Sequence, residues 1–363
     1  MTQTAIPFLF MRGGTSRGPY FNRADLPKDL DTLGEVLMSV LGNGHPLNID
    51  GIGGGNPVTT KVAMLSKSED DWADIDYFFT QVQVEKREVD MKPTCGNILS
   101  GVAAAAIEMG LFTPTSDVST VKVRAVNTDA KVEAIVQTPG GKTLYEGDTA
   151  IAGVPGAHAP VLLKFMEVAG SNVGKMLPTG NTLDTIDGVD VTCLDVGMPM
   201  VIARAADFGV TGTETREELD AKTALFARIE EVRLKAAVQM GMGDCSASVT
   251  PKFGMLMPPQ NGGHISGRYF MPWDTHPTMA VTGSQCLSAC ALMPGTVSDG
   301  MMEQLPSGAV MQMEHLRGII EVVTEYEMDG ESFHHISGGL TRTCRLLARG
   351  EVYVPSSVWG GHT

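Results

Sequence analysis

Between residues 47 and 65 the chain reads LNIDGIGGGNPVTTKVAML, with glycine at four of the five positions 51–55 and a lone lysine, Lys61, heading an apolar run. Glycines clustered in this way let main-chain N–H groups approach an anion closely. A lysine beside such a loop is either a fixed positive charge or a group that takes and returns a proton. Gly54 and Asn56 are the loop positions best placed to touch a ligand. A second arrangement is CGN, residues 95–97, directly before an alanine-rich segment. If a helix starts there, the Cys95 sulfur and the N–H groups of Gly96 and Asn97 face the same ligand at the positive end of the helix dipole. The alternative is a cysteine that simply packs as a small hydrophobe.

Two further stretches carry the same kind of signal. In AVTGSQC, residues 280–286, Thr282, Gly283 and Ser284 offer small side chains and N–H donors at another helix start, which an ordinary N-cap also explains. In MRGGTSRG, residues 11–18, Arg12 and Arg17 flank a Gly-Gly turn with Thr15 and Ser16, an anion cradle or a polar turn. It has neither the lysine spacing of a phosphate-binding loop nor the dinucleotide fingerprint. His276, close before the second helix start, is a ligand-contacting candidate or a hydrogen-bonded structural histidine. His334 and His335 read as surface or as a strand end. The six cysteines, Cys95, Cys193, Cys245, Cys286, Cys290 and Cys344, form no C-x-x-C pair and have no histidine at zinc spacing. No metal site and no Ser-His-Asp or Cys-His nucleophile set is therefore expected.

These residues need a scaffold, and the chain supplies one made mostly of strands. Residues 4–12, 60–67, 75–85, 119–127 and 131–138 alternate or run apolar with β-branched and aromatic side chains, as do 191–197, 199–205, 268–273, 318–328 and 344–355. The segment ILSGVAAAAIEMGL, from residue 98, predicts a helix apolar nearly all round, which must be wrapped by other structure. GSQCLSACALM, from residue 283, predicts a second. Residues 214–240 predict one amphipathic, solvent-facing helix. Two halves that each hold a buried helix among strands imply an α+β duplication. The expected domains are 1–184 and 185–363, joined near 177–188, with the last strands returning to the first domain.

Composition sets the outer limits. A chain of 363 residues with 43% hydrophobic and 19% charged residues is a globular protein of about two domains. Its formal net charge of −15 argues against nucleic acid and anionic membrane surfaces as partners. Small anionic substrates stay compatible, since local N–H groups and arginines can capture them. No signal segment or membrane span is read, so a cytoplasmic location is expected. The oligomeric state stays open, with a homodimer among the forms allowed.

Taken together, MRGGTSRG, IDGIGGGNPVTTKVA, CGNILSGV, LPTGN, VTCLDVGMP and TGSQCLSACAL resemble the PrpF-like isomerase family. That resemblance implies a diaminopimelate epimerase-like fold: two similar domains, each a β-sheet rolled around a central helix, with the site in the cleft between. It implies an isomerase that shifts a proton and a double bond in di- or tricarboxylates without cofactor or metal, with Lys61 and Cys95 as the proton-transfer pair. Arg12, Ser16 and Arg17 would hold outer carboxylates, and the N–H groups at 95–97 and 282–284 would meet the charge of a dienolate. The true epimerases use a second cysteine, and Ala280 stands in its place here. Within the family the motifs look most similar to 4-oxalomesaconate tautomerases of gallate and protocatechuate breakdown. Aconitate, methylaconitate and methylitaconate isomerases are the alternative branches. Outside catalysis, an accessory protein to an aconitase-type enzyme or a polyanion-binding protein would fit, but neither needs a proton-transfer pair.

Overall fold

The computed structural model describes residues 3–271, 273–330 and 332–361. The chain forms two compact units, the first made of Met1–Lys164 and Thr341–Thr363, the second of Phe165–Leu340.

The first unit contains strands β1 (Gln3–Gly13), β2 (Ser16–Asn22), β3 (Lys61–Lys67), β4 (Ile75–Val82), β5 (Val89–Asp90), β6 (Val118–Ala125), β7 (Ala130–Gln137) and most of β8 (Pro160–Met166). Its helices are α1 (Leu30–Leu41), α2 (Gly96–Leu99) and α3 (Val102–Glu108). The second unit contains β9 (Asp184–Ile186), β10 (Val189–Asp195), β11 (Pro199–Arg204), β12 (Lys252–Met257), β13 (Ile265–Phe270), β14 (Val310–His315) and β15 (Gly318–Asp329). Its helices are α4 (Arg216–Asp220), α5 (Thr223–Gln239) and α6 (Val281–Leu292). The long strand β16 (Ser332–Pro355) begins in the second unit and ends in the first, where it pairs antiparallel with β1, Gly13 opposite Cys344.

In the first unit the strand order runs β1-β2-β3-β4-β6-β7-β8. Helix α2 packs on β1, β2 and β3, and α3 on β3, β6 and β7, so strands from across the order enclose one apolar helical axis. Val102–Ala106 are all fully buried. In the second unit α6 packs on each of β10 to β15. Its side chains from Gly283 to Leu292 are buried, which is why the segment is apolar on every side. Each unit is thus a rolled sheet around a helix, the α+β architecture of a diaminopimelate epimerase-like fold.

The boundaries differ from the expected ones in ways that have local causes. The first helix breaks at Ser100–Gly101, where Gly101 packs so closely on the Tyr20 phenol that a Cβ would come within 2.5 Å of the oxygen. The single helix expected at 214–240 is two, α4 and α5, broken at Ala221–Lys222. Nor is α5 merely a solvated face: Leu225, Ile229, Val232 and Ala236 recur at helical spacing and enter an apolar core with Val191, Val201 and Phe253. The joint expected at 177–188 lies inside the second unit, since β9 is a strand of that sheet, paired with β10.

Helix α1 was not read from the sequence. Asp29 caps it, accepting from the Thr32 N–H at 2.8 Å, and Gly42 ends it in the left-handed region at φ 70°. Its face of Leu33, Val36, Leu37, Val40 and Leu41 packs with Ile6, Phe21, Val62 and Val354, each fully buried apolar side chain contributing roughly 1.5–3 kcal/mol. Among the described residues no helix is long and apolar enough to cross a membrane.

Candidate active site

The proton-transfer candidates Lys61 and Cys95 are both in the first unit, linked by one face of β4. Tyr77, Phe79 and Gln81 alternate on that strand and so share a face. At one end, Gln81 lies directly across from Lys61, whose Nζ donates to Gln81 Oε1 at 2.7 Å. The same Nζ sits over the Phe79 ring, 5.3 Å from its centre. At the other end, the Tyr77 hydroxyl donates to the Cys95 carbonyl at 3.3 Å. Tyr77 and Phe79 are themselves in ring contact, 6.4 Å between centres.

Gln81 cannot turn over. Its Nε2 lies 3.0–3.2 Å from Thr60 Oγ1 and from the carbonyls of Thr60, Pro57 and Val82, so only the carbonyl oxygen faces Lys61. The amine therefore meets an uncharged acceptor rather than a carboxylate. Sequence reasoning missed Gln81 and Tyr77, because their roles come from strand pairing across long separations.

Cys95 is the N-cap of α2 and is partly exposed. Its carbonyl accepts from the Leu99 N–H, so the N–H groups of Gly96, Asn97 and Ile98 precede the first intrahelical donor. The Tyr20 hydroxyl donates to the Ile98 carbonyl at 2.5 Å. Burial pushes the ionisation of Tyr20 and Tyr77 well above the usual phenol range, which keeps both hydroxyls as donors gripping this turn.

The glycine loop works differently from the expectation. The N–H groups of Gly51, Ile52, Gly53 and Gly55 are spent within the fold, on the Asn48, Val40 and Leu41 carbonyls and on Asn48 Oδ1. Those of Gly54 and Asn56 have no acceptor among the described residues. The glycines serve close packing: a Cβ on Gly54 would lie 2.8 Å from Arg17 Nη2. Gly18 is tighter still, its Cβ position 1.7 Å from the Lys61 carbonyl. The loop, Arg17 and Lys61 are thus brought together. The Asn56 side chain is used locally, accepting from the Val58 N–H at 3.1 Å.

Arg12 is turned to the backbone. Its Nη1 donates to the carbonyls of Gly14 and Thr343 and to Thr343 Oγ1, each at 3.0 Å, and burial lowers its pKa. It braces the turn at 13–16 rather than presenting that nitrogen to a substrate. Asn97 is likewise engaged, its Nδ2 donating to Thr15 Oγ1 at 3.1 Å. Ser16 is buried at the head of β2. Arg17 stacks on Phe10 at 5.4 Å and has no carboxylate partner among the described residues, so its guanidinium is available.

In the second unit, Ala280 caps α6 without a side-chain bond. Ser284 is not available as a donor: its N–H goes to the Ala280 carbonyl and its hydroxyl to the Val281 carbonyl, both at 2.8 Å. The N–H groups of Thr282 and Gly283 precede it in the first turn. Gly283 is required there because a Cβ would meet the Tyr269 ring at 2.5 Å. His276 packs edge-on against Tyr269, its Nδ1 accepts from the Thr278 N–H at 3.1 Å, and burial lowers its pKa. The LPTGN segment is structural, with Thr179 and Asn181 both donating to the Asp184 carboxylate. Among the described residues no three His, Cys, Asp or Glu side chains converge as a metal site would require.

The sequence matches the family model described as PrpF protein over residues 3–355. It is 47% identical to the putative isomerase YbhH of Escherichia coli, over 96% of this chain and 99% of that one. It is 42% identical to the (4E)-oxalomesaconate Delta-isomerase of a Novosphingobium species, over 96% and 98%, and 41% identical to the 4-oxalomesaconate tautomerase of Pseudomonas putida, over 99% of each. Among solved structures, a methylitaconate-delta-isomerase aligns with a TM-score of 0.91 at 30% identity, covering 99% of this chain and 97% of that one. A likeness of this depth over the whole length settles the family and the class of reaction. The chain belongs to the PrpF family and is an isomerase.

Proposed function

We propose that this isomerase acts on 4-oxalomesaconate, an unsaturated tricarboxylate of aromatic-acid breakdown, and moves a proton along its conjugated system without a cofactor. The observation that carries the substrate is the ranking of relatives. The two named for oxalomesaconate are 42% and 41% identical, against 33% for a 3-methylitaconate isomerase and 30% for a 2-methyl-aconitate isomerase.

In this reading the amine form of Lys61 removes a proton from the carbon next to the keto group. The electron pair left behind spreads over the keto oxygen and the conjugated C=C as a dienolate. The N–H groups of Gly96, Asn97 and Ile98 and the Arg17 guanidinium stabilise that charge. The Lys61 ammonium then returns a proton at the other end of the delocalised system; if Cys95 gives it instead, solvent carries the Lys61 proton back to the thiolate, so that atoms and charge balance in either case. Gln81 suits this cycle because its carbonyl oxygen can accept from the amine as well as from the ammonium and, being uncharged, does not pin Lys61 in the charged form. At the start of α6 Ala280 offers no thiol, unlike the second cysteine that the resemblance to epimerases would call for there.

The test is to offer 4-oxalomesaconate, 2-methylaconitate and 3-methylitaconate separately in deuterated water and follow label by NMR. Deuterium entering 4-oxalomesaconate fastest, by kcat/KM, is the expected result. Faster turnover of either of the others would move this chain to another branch.

A further inference from the structure

We propose that Arg342 forms a carboxylate subsite, the place where one carboxylate of a polycarboxylate substrate is received. This rests on the reading of the substrate as a tricarboxylate. Arg342 lies on β16 in the segment that belongs to the first unit. Its neighbour Thr343 accepts the Gly14 N–H at 2.9 Å and takes the Arg12 guanidinium, so the residue stands beside the turn at 13–16.

Strand alternation fixes which side it takes. Arg342 shares a face with Cys344, which is paired with Gly13. Residues directly opposite across antiparallel strands project to the same face. The Gly13 face is the one turned to α2, since a Cβ there would meet the Asn97 carbonyl at 2.4 Å and the Tyr20 hydroxyl at 2.9 Å. Arg342 is therefore on the face that carries the Cys95–Asn97 turn.

The guanidinium is partly buried and underused. Among the described residues its hydrogen bonding amounts to Nη1 donating to the Thr341 carbonyl at 2.9 Å, and no carboxylate lies within ion-pair reach. Burial alone lowers its pKa, with no charged neighbour opposing or assisting. Buried Arg233, by contrast, holds Glu230. A partly buried cation without a counter-charge is better satisfied once an anion arrives, and a planar guanidinium takes a carboxylate through two parallel N–H donors. Arg17, which also has no carboxylate partner among the described residues, would take a different carboxylate. Two such cations distinguish a tricarboxylate from a dicarboxylate, because removing one leaves a carboxylate of the larger ligand unmet.

The experiment measures binding by calorimetry, without turnover, using tricarballylate as tricarboxylate and glutarate as dicarboxylate on wild type, Arg342→Gln and Arg342→Lys. The expected result is that Arg342→Gln weakens tricarballylate roughly 10- to 100-fold, the range for a hydrogen-bonded charge, while glutarate changes less than threefold. Arg342→Lys, which keeps the charge and loses the fork, should fall between. Thermal unfolding of each variant verifies the fold. Equal weakening of both ligands, no weakening of either, or no binding of tricarballylate by wild type would overturn the subsite. If the preference for tricarballylate depends on Arg342 and yet 4-oxalomesaconate is not turned over, the subsite stands and the assigned substrate falls.

Discussion

Replacing Gln81 with methionine should separate the placement of the Lys61 amine from substrate binding. Methionine has similar length but offers Nζ no comparable acceptor, and it withdraws the amide from Thr60, Pro57 and Val82. A hydrogen bond of this kind contributes about 0.5–1.5 kcal/mol net, and rather more to a charged donor. The stability loss should therefore be about 1–3 kcal/mol. The catalytic effect should be larger in proportion. Without Oε1 at 2.7 Å, the one contact left to Nζ among the described residues is the Phe79 ring at 5.3 Å. Misplacement of a reacting group by about 1 Å can cost on the order of 10²-fold. A kcat reduced by roughly 10- to 100-fold, with KM within about threefold, is expected. Steady-state rates and thermal unfolding of the same preparation give both quantities. An independent reading is the rate at which acetic anhydride labels Lys61, followed by peptide mass spectrometry, which should change in the variant whether or not the enzyme turns over. A folded Gln81→Met enzyme with kcat within threefold of wild type and unaltered labelling would refute the positioning of Lys61 by Gln81. Altered labelling with unchanged kcat would instead remove Lys61 from the chemistry.

Other perturbations follow from the same geometry. Lys61→Met should lose roughly 10²–10⁴-fold in kcat while folding normally, and Cys95→Ser should lose less, since serine keeps the helix-start geometry and a hydrogen bond; the reverse order in initial rates would exchange their roles. Gly13→Ala should destabilise the chain by about 1–3 kcal/mol, because the new Cβ would meet the Asn97 carbonyl at 2.4 Å, and should lower kcat by disturbing the Cys95–Asn97 turn; unchanged urea midpoint and rate would show that the turn yields freely. His335, whose two ring nitrogens lack partners among the described residues, is held by burial at a pKa of about 4. The folded value is below the unfolded one near 6.5, so its contribution is complete above pH ~6.5 and is lost as pH falls through 4, about 3 kcal/mol in all. His335→Leu should therefore lose less stability than wild type between pH 7 and pH 4 in urea titrations, and an identical acid loss would contradict this.

The strands and the two apolar helices were legible because their signals are local: alternation for β4 or β6, and apolarity on all sides for α6. Lys61 and Cys95 stood out for the same reason, each beside small residues that expose backbone. What stayed hidden depends on partners distant in sequence. The close packing at Gly101 needs Tyr20, the orientation of Gln81 needs Thr60, and the use of Arg12 needs Thr343. The glycine loop misled because a glycine that permits close packing looks the same in sequence as one that frees an N–H for a ligand. Arg342 left no mark at all, since an arginine in a strand is legible only once its lack of a partner is seen.

The passage of β16 from one unit to the other fixes an order of events during synthesis. Residues 165–340 are continuous, so the second unit can assemble as soon as it has emerged from the ribosome. The first unit cannot be completed then, because the partner of β1 spans residues 344–355 at the far end of the chain. Until those residues are made, β1 presents an unsatisfied hydrogen-bonding edge rich in Phe and Leu, the kind of edge that recruits foreign strands. A ribosome stalled near residue 340 would thus leave one folded unit and one open sheet. Truncation of the last twenty residues should damage the unit that carries Lys61 far more than its neighbour.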